Sequence, residues 1–118
     1  MWCSDKKHER VMATNYWGHV VLNQRLMDLV KEAGSEDSYA RIILVSSMAV
    51  MGGDLHNVTN GNFNLDDMTN GGLFLSMFHS MQYPNSKQAQ LLYTRKMASI
   101  LSEEGANVSI SVLHPGVF

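Results

Sequence analysis

The chain has 118 residues, 45% of them hydrophobic, with 9 Lys+Arg against 11 Asp+Glu for a formal charge of −2. That length suits one small domain or a part of a larger one. A charge so near zero, with no block of Lys or Arg, excludes the broad basic field that neutralises nucleic-acid phosphates or acidic lipid, so no nucleic-acid partner is expected.

From about Asp5 to Ala33, Val11, Met12, Tyr16, Val20, Val21, Leu26, Met27, Leu29 and Val30 recur at three- and four-residue steps without a proline, which predicts an amphipathic helix. Gly34 supplies its stop, and a polar bridge from Gly34 to Tyr39 follows. Arg41-Ile42-Ile43-Leu44-Val45-Ser46-Ser47 is a short apolar, β-branched run bounded by polar residues. Apolar on both faces, it suits a central parallel strand covered by helices on both sides.

Met48 to Gln82 holds Gly52-Gly53 and a stretch rich in Asn and Gly from Asn57 to Gly72, which breaks any helix laid across it. A loop of that length fits a compact domain as an insertion or an active-site lid. Pro84 suits the first residue of a new helix, where its missing N–H costs nothing. Leu91, Leu92, Met97, Ala98, Ile100 and Leu101 carry an apolar face as far as Gly105, a second stop. Val108 to Leu113 alternates apolar and serine residues and then runs into His114-Pro115-Gly116, a strand ending in a loop.

Helix, buried strand, loop, helix and strand in that order indicate an α/β fold with a parallel sheet. Two strands alone would leave much of two long helices uncovered. At roughly 30 residues per strand-helix unit, a complete doubly wound sheet takes about 200 residues, so the chain is expected to be an incomplete, carboxyl-side portion of one.

The single cysteine, Cys3, cannot close an intramolecular disulfide, and a reducing compartment is expected. No apolar run reaches the roughly 18–20 residues that span a bilayer, and the first six residues lack a signal-peptide core, so the chain reads as soluble. The 9 methionines are read as packing.

Tyr83-Pro84-Asn85-Ser86-Lys87 sets a phenol and an ammonium four residues apart at a helix start, on one face about a turn apart. A cation so placed favours the phenolate and equips the phenol for proton transfer. Alone, the pair reads sooner as an exposed helical face than as a site. Three further features fall in order with it. Ser47 ends the first strand, where open parallel sheets place their ligand crevices; Ser46 is its rival, since neighbours in a strand point to opposite faces. Pro115-Gly116 ends the second strand at the same edge. Asn15, in Asn15-Tyr16-Trp17-Gly18-His19, sits within the first helix.

Together these residues resemble the short-chain dehydrogenase/reductase superfamily. Arg41 to Ser47 is similar to its strand leading to the catalytic serine, Tyr83-x-x-Ser86-Lys87 to its active-site motif, and His114-Pro115-Gly116-Val117 to its nicotinamide-side loop. Asn15 to His19, Asn64-Leu65-Asp66-Asp67 and Leu92-Tyr93-Thr94-Arg95 resemble the retinol dehydrogenase-like branch, including the X-linked dehydrogenase/reductase type. The resemblance implies a Rossmann-like domain, of which residues 1–118 would be the catalytic part without the amino-terminal nucleotide-binding part. It implies Tyr83 as general acid/base, Lys87 as the residue that favours its charged form and bonds the nicotinamide ribose, Ser47 as the group that holds the substrate carbonyl, and Asn15 as anchor of a water relay to Lys87. Pro115, Gly116 and Val117 would line the nicotinamide pocket, with Tyr83 and Lys87 also touching the cofactor. The reaction implied is hydride transfer between NAD(P), with NADP favoured, and a small-molecule carbonyl/alcohol pair of retinoid, steroid or other lipid-like character.

Two departures qualify the match. The chain holds no Gly-x-Gly, so the phosphate turn that lets backbone approach a pyrophosphate at a helix N-terminus is missing. Ser47 and Tyr83 are also farther apart than the family usually has them, which casts the Asn/Gly-rich segment as an enlarged loop near the substrate mouth. The alternative expectation is therefore a truncated, non-catalytic fragment acting as an interaction partner or a remnant. Through the helices bearing Asn15 and Tyr83 the family also implies a homo-oligomer, and it leaves a cytoplasmic or a membrane-associated location open for a longer form.

The five histidines show no metal-ligand spacing on a helix face, so no metal is expected. Asn57-Val58-Thr59 and Asn107-Val108-Ser109 match glycosylation acceptors in a chain with no sign of secretion, and are discounted. Tyr16-Trp17 reads as helix packing. Gly-x-Ser-x-Gly is absent, and with it the hydrolase nucleophile turn.

Overall fold

The computed structural model describes residues 10–54 and 82–116. Cys3, the Asn/Gly-rich stretch from Asn57 to Gly72 and Val117 lie outside the described residues.

The first helix, α1, runs without a break through Arg10–Met12, a π-helical turn at Ala13–Trp17 and the α-helix Gly18–Ala33. In the π turn the Gly18 N–H bonds Ala13 O, five residues back. Gly34 ends α1 in extended rather than left-handed conformation. Its need for glycine is one of space, since a Cβ there would lie 2.0 Å from Asn107 O.

Strands β1 (Ala40–Val45) and β2 (Val108–Leu113) pair in parallel, from Ala40 opposite Val108 to Val45 opposite Leu113. Strand geometry ends two residues before Ser47. The Ser46 N–H still donates to Leu113 O at 2.7 Å, and the chain then turns into a 3-10 helix, Met48–Gly52, where a loop was expected.

The crossover helix α2 covers Gln82–Glu103. It starts two residues earlier than the proline suggested, and Pro84 is tolerated because the first turn of a helix has no intrahelical partners for its N–H groups. At the other end Gly105 has φ 66°, and the Ala106 and Gly105 N–H groups bond Leu101 O and Ser102 O at 2.9 and 3.1 Å, a glycine-dependent Schellman ending.

The main core joins Met27 of α1, Leu101 of α2 and Val108 and Ile110 of β2, with Val30, Ala40, Ile42, Tyr93 and Met97 packed against it. A second cluster joins Met12 to Ala89, flanked by Tyr16 and Leu92. Met12, Met27 and Met97 therefore pack as expected, whereas Met48 and Met51 are exposed. The buried stripe of α2 runs through Ala89 and Leu101 and leaves Leu91 and Ala98 exposed; in α1, Val21, Leu26 and Leu29 also face outward.

Of the cover expected on both faces of the sheet, the described residues supply one side. Both described helices lie on the same face of the sheet, the face of Ile42, Leu44, Val108 and Ile110. On the other face Ile43 and Val45 are each 54% exposed. An apolar run signals burial on two faces but cannot say which segments supply the cover. The described residues thus form an α/β unit with a small, incomplete two-stranded parallel sheet.

Candidate functional site

Because β1 and β2 are parallel and in register, their carboxyl ends, Val45 and Leu113, stand side by side, and Ser47 and Pro115 each follow two residues on. The amino-terminal turns of α2 arrive at the same edge. The Lys87 Nζ donates to Val45 O at 2.9 Å and lies 5.6 Å from the centroid of the Tyr83 ring, within cation–π range. Tyr83 itself is 41% exposed.

Ser47 is extended, at φ −152° and ψ 157°, and its Oγ accepts from the Ala49 N–H at 3.2 Å, capping the 3-10 helix. The cap uses one lone pair; the hydroxyl proton and a second lone pair stay available. Pro115 and Gly116 are exposed, and Gly116 has φ 105°, a conformation that favours glycine. Val117 lies outside the described residues.

Asn15 stands in the π turn. Its side-chain amide donates to Ser86 Oγ at 3.1 Å, and Ser86 Oγ donates to Tyr83 O at 2.7 Å. Gln90 Nε2 donates to Asn15 O at 2.6 Å. The side-chain amide and the main-chain carbonyl of Asn15 therefore meet Ser86 and Gln90, one residue before and three residues after Lys87, on the buried side of α2. Beside it, the Tyr16 phenol is raised above its ordinary range near 10, first by burial and then by Tyr93, whose ring meets it edge-on at 6.3 Å.

The structure thus gathers Tyr83, Lys87, Ser47, Pro115 and Gly116 at one sheet edge and links Asn15 to them from behind through Ser86. Sequence reasoning passed over Asn85, Gln88 and Gln90. Asn85 and Gln90 are buried, and Ser86, Gln90 and Thr94 form a polar row at four-residue steps along the packed side of α2. That row, set among Ala89, Tyr93 and Met97, was the available signal. Among the described residues no group of three or more His, Cys, Asp or Glu could hold a metal ion, and no helix is long and apolar enough to cross a membrane.

The class so defined is an α/β unit that concentrates its polar chemistry at the carboxyl edge of a parallel sheet. Over 109 residues, 92% of its length, the chain is 34% identical to the human (Homo sapiens) polyprenol dehydrogenase and, again over 109 residues, 34% identical to human retinol dehydrogenase 14. It is 33% identical over 110 residues to the chloroplastic short-chain dehydrogenase TIC 32 A of Brassica napus. The chain is a partial short-chain dehydrogenase/reductase domain. It spans 30%, 27% and 32% of the length of these three curated relatives. No family model matches it, and no solved structure matches it.

Proposed function

We propose that these residues form the substrate-side half of an NAD(P)-dependent oxidoreductase site that moves a hydride between nicotinamide and a carbonyl/alcohol pair, NADP being the favoured cofactor. The carrying observation is the docking of Lys87 on the β1 carboxyl end with the Tyr83 ring beside it. The donor set fits one end of a dinucleotide: a phenol, an ammonium, the exposed turn at Pro115-Gly116, and Val117 as a further contact. It does not include a phosphate cradle, for the chain has no Gly-x-Gly. The bound cofactor would supply the hydride.

In this reading Tyr83 gives a proton to the substrate oxygen, or takes one from it, with the Lys87 ammonium beside its ring. Ser47 orients the same oxygen with its free hydroxyl proton. Asn15, through Ser86, holds the turn of α2 that carries both Tyr83 and Lys87. The lipid-like names of the relatives support a retinoid, polyprenol or other apolar substrate. The test is Tyr83→Phe in the intact protein. Carbonyl reduction with NADPH should fall at least about 100-fold while the fold is kept; undiminished turnover would remove Tyr83 from its role.

A second reading is favoured by the apolar residues that the helices leave exposed, Val21, Leu26 and Leu29 of α1 and Leu91 of α2. The chain would act without catalysis, pairing with an intact homologue or with a second copy of itself through α1 and α2. Saturable NADPH binding by the 118-residue chain counts against it.

A further inference from the structure

Gln88 follows Lys87 directly, and its side-chain amide donates to two main-chain carbonyls, Val50 O and Gly53 O, each at 3.0 Å. One turn earlier, Asn85 Oδ1 accepts the Asp54 N–H at 2.8 Å. Lys87, between them, reaches Val45 O. Four bonds thus join three positions of α2, Asn85, Lys87 and Gln88, to residues 45–54, and they close on both sides of Ser47. The bonds internal to that segment are short-range, Val50 N–H to Ser47 O and Gly53 N–H to Val50 O at 3.1 and 3.4 Å, and cannot hold it against the helix.

Gly53 is shaped for this contact. Its backbone, at φ −75° and ψ 156°, is open to any residue. A Cβ there would nevertheless lie 2.5 Å from Gln88 Cδ and 2.7 Å from Oε1. A side chain at 53 would displace the Gln88 amide, so glycine there serves the approach of Gln88 and not its own conformation. Gln88 Oε1 is buried without a hydrogen-bond partner, a cost that the two bonds from Nε2 offset.

We infer that Gln88 is a positioning residue: it splints the 3-10 helix Met48–Gly52 to α2 and so sets where the Ser47 hydroxyl stands relative to the Tyr83 phenol, with Gly53 as the gap that admits its amide. The effect on turnover rests on the oxidoreductase reading above; the splint does not.

The experiment compares Gln88→Glu, Gln88→Leu, Gly53→Ala, Gln88→Ala and the Gly53→Ala/Gln88→Ala pair in the intact protein, by amide hydrogen exchange and by NADPH-linked carbonyl reduction. The carboxylate of Gln88→Glu has the size of the amide and repels both carbonyls. Exchange of the Val50, Gly53 and Asp54 amides should rise about 10-fold in Gln88→Glu, with residues 42–44 within about 2-fold of the unmodified protein. Gly53→Ala should give the same rise alone and add less than about 2-fold once residue 88 is Ala, because the clash is then gone. Turnover should fall about 10-fold in kcat with the KM for NADPH within about 2-fold, a split expected of misplaced chemistry and not of lost cofactor binding. If Gln88→Leu also exposes residues 42–44, Gly53→Ala decides, since it leaves α2 untouched. Unchanged exchange at 50–54 in Gln88→Glu, or an undiminished effect of Gly53→Ala in the Gln88→Ala background, overturns the splint. Raised exchange with unchanged kcat overturns its part in positioning Ser47. An unmodified protein without turnover defeats the oxidoreductase reading and leaves the exchange result to decide the splint.

Discussion

Asn15 of α1 gives its side-chain amide to the Ser86 hydroxyl of α2 across 71 positions of sequence. Ser86 is 0% exposed and donates its own hydrogen bond to Tyr83 O, so one buried hydroxyl joins the two helices and the turn that carries the phenol. Ser86→Ala leaves the Asn15 amide without its acceptor and should cost about 1–3 kcal/mol in urea unfolding. In a double-mutant cycle Asn15→Ala should cost less once residue 86 is Ala, with a coupling of about 1 kcal/mol. Strictly additive costs would mean that the bond contributes nothing.

Gln90 makes a related but sharper prediction. Its Nε2 donates to Asn15 O at 2.6 Å while its Oε1 is buried without a partner. Gln90→Met loses the bond and also removes the orphan oxygen, so its cost should stay near about 1 kcal/mol. Gln90→Glu keeps the shape, cannot donate when ionised, and buries a charge. It should cost about 3 kcal/mol at neutral pH, recovering as the pH is lowered and the carboxyl takes up a proton. The urea midpoints of the two variants at pH 5 and pH 8 give the comparison.

The Tyr16 phenol supplies a pH dependence with a definite sign. Folding raises it above its ordinary value of 10.0, through burial and then through Tyr93. The unfolded chain therefore loses this proton first as the pH rises. Its contribution to stability is complete below about pH 10 and is lost on passing upward through the folded value. Tyr16→Phe should flatten the fall in the urea midpoint between about pH 9 and pH 11. An alkaline limb of unchanged slope would contradict this.

Leu44 and Ile43 test the one-sided sheet. They are adjacent in β1, yet Leu44 is buried under the helices and Ile43 is open on the other face. Leu44→Ala should cost about 2–4 kcal/mol, and Ile43→Ala less than about 1 kcal/mol. Equal costs would place cover on both faces.

Lys87 should separate stability from turnover. Its bond to Val45 O lies at the exposed edge, so Lys87→Met should cost about 1 kcal/mol in stability or less. NADPH-linked turnover should fall about 100-fold. Full activity in Lys87→Met would separate the ammonium from the reaction.

Much of the architecture was legible because it is periodic. The steps from Val11 to Val30 and the run from Arg41 to Val45 announce a helix and a strand before any contact is known, and the crossover with a second strand follows from Leu92, Met97, Leu101 and Val108. For the candidate site, residue type points to Tyr83, Lys87, Ser47 and Asn15, and the turnover experiments at Tyr83 and Lys87 test the roles expected of those two. What escaped is aperiodic. Gln88 and Asn85 reach main-chain groups 31 to 38 residues away, and Gln90 reaches one 75 residues away. Such bonds leave no trace in local pattern, because an amide mid-helix reads the same whether it meets water or a distant carbonyl. The side of the sheet taken by the helices was hidden for a related reason: Ile43 is as apolar as Ile42, and only the packed chain tells them apart.

The π turn at Ala13–Trp17 bears on how α1 can change its length. Elsewhere in the helix, losing one residue would swing everything before it by about 100° and take Met12 off Ala89. Within the wide turn there is a residue to spare, so a deletion at Ala13 or Thr14 would close α1 into a regular helix with Met12 and Met27 still on their clusters. What such a shortening would forfeit is the carbonyl offered to Gln90. An indel at this point would therefore spare the framework and unseat Asn15, dissociating the inheritance of the fold from that of the site.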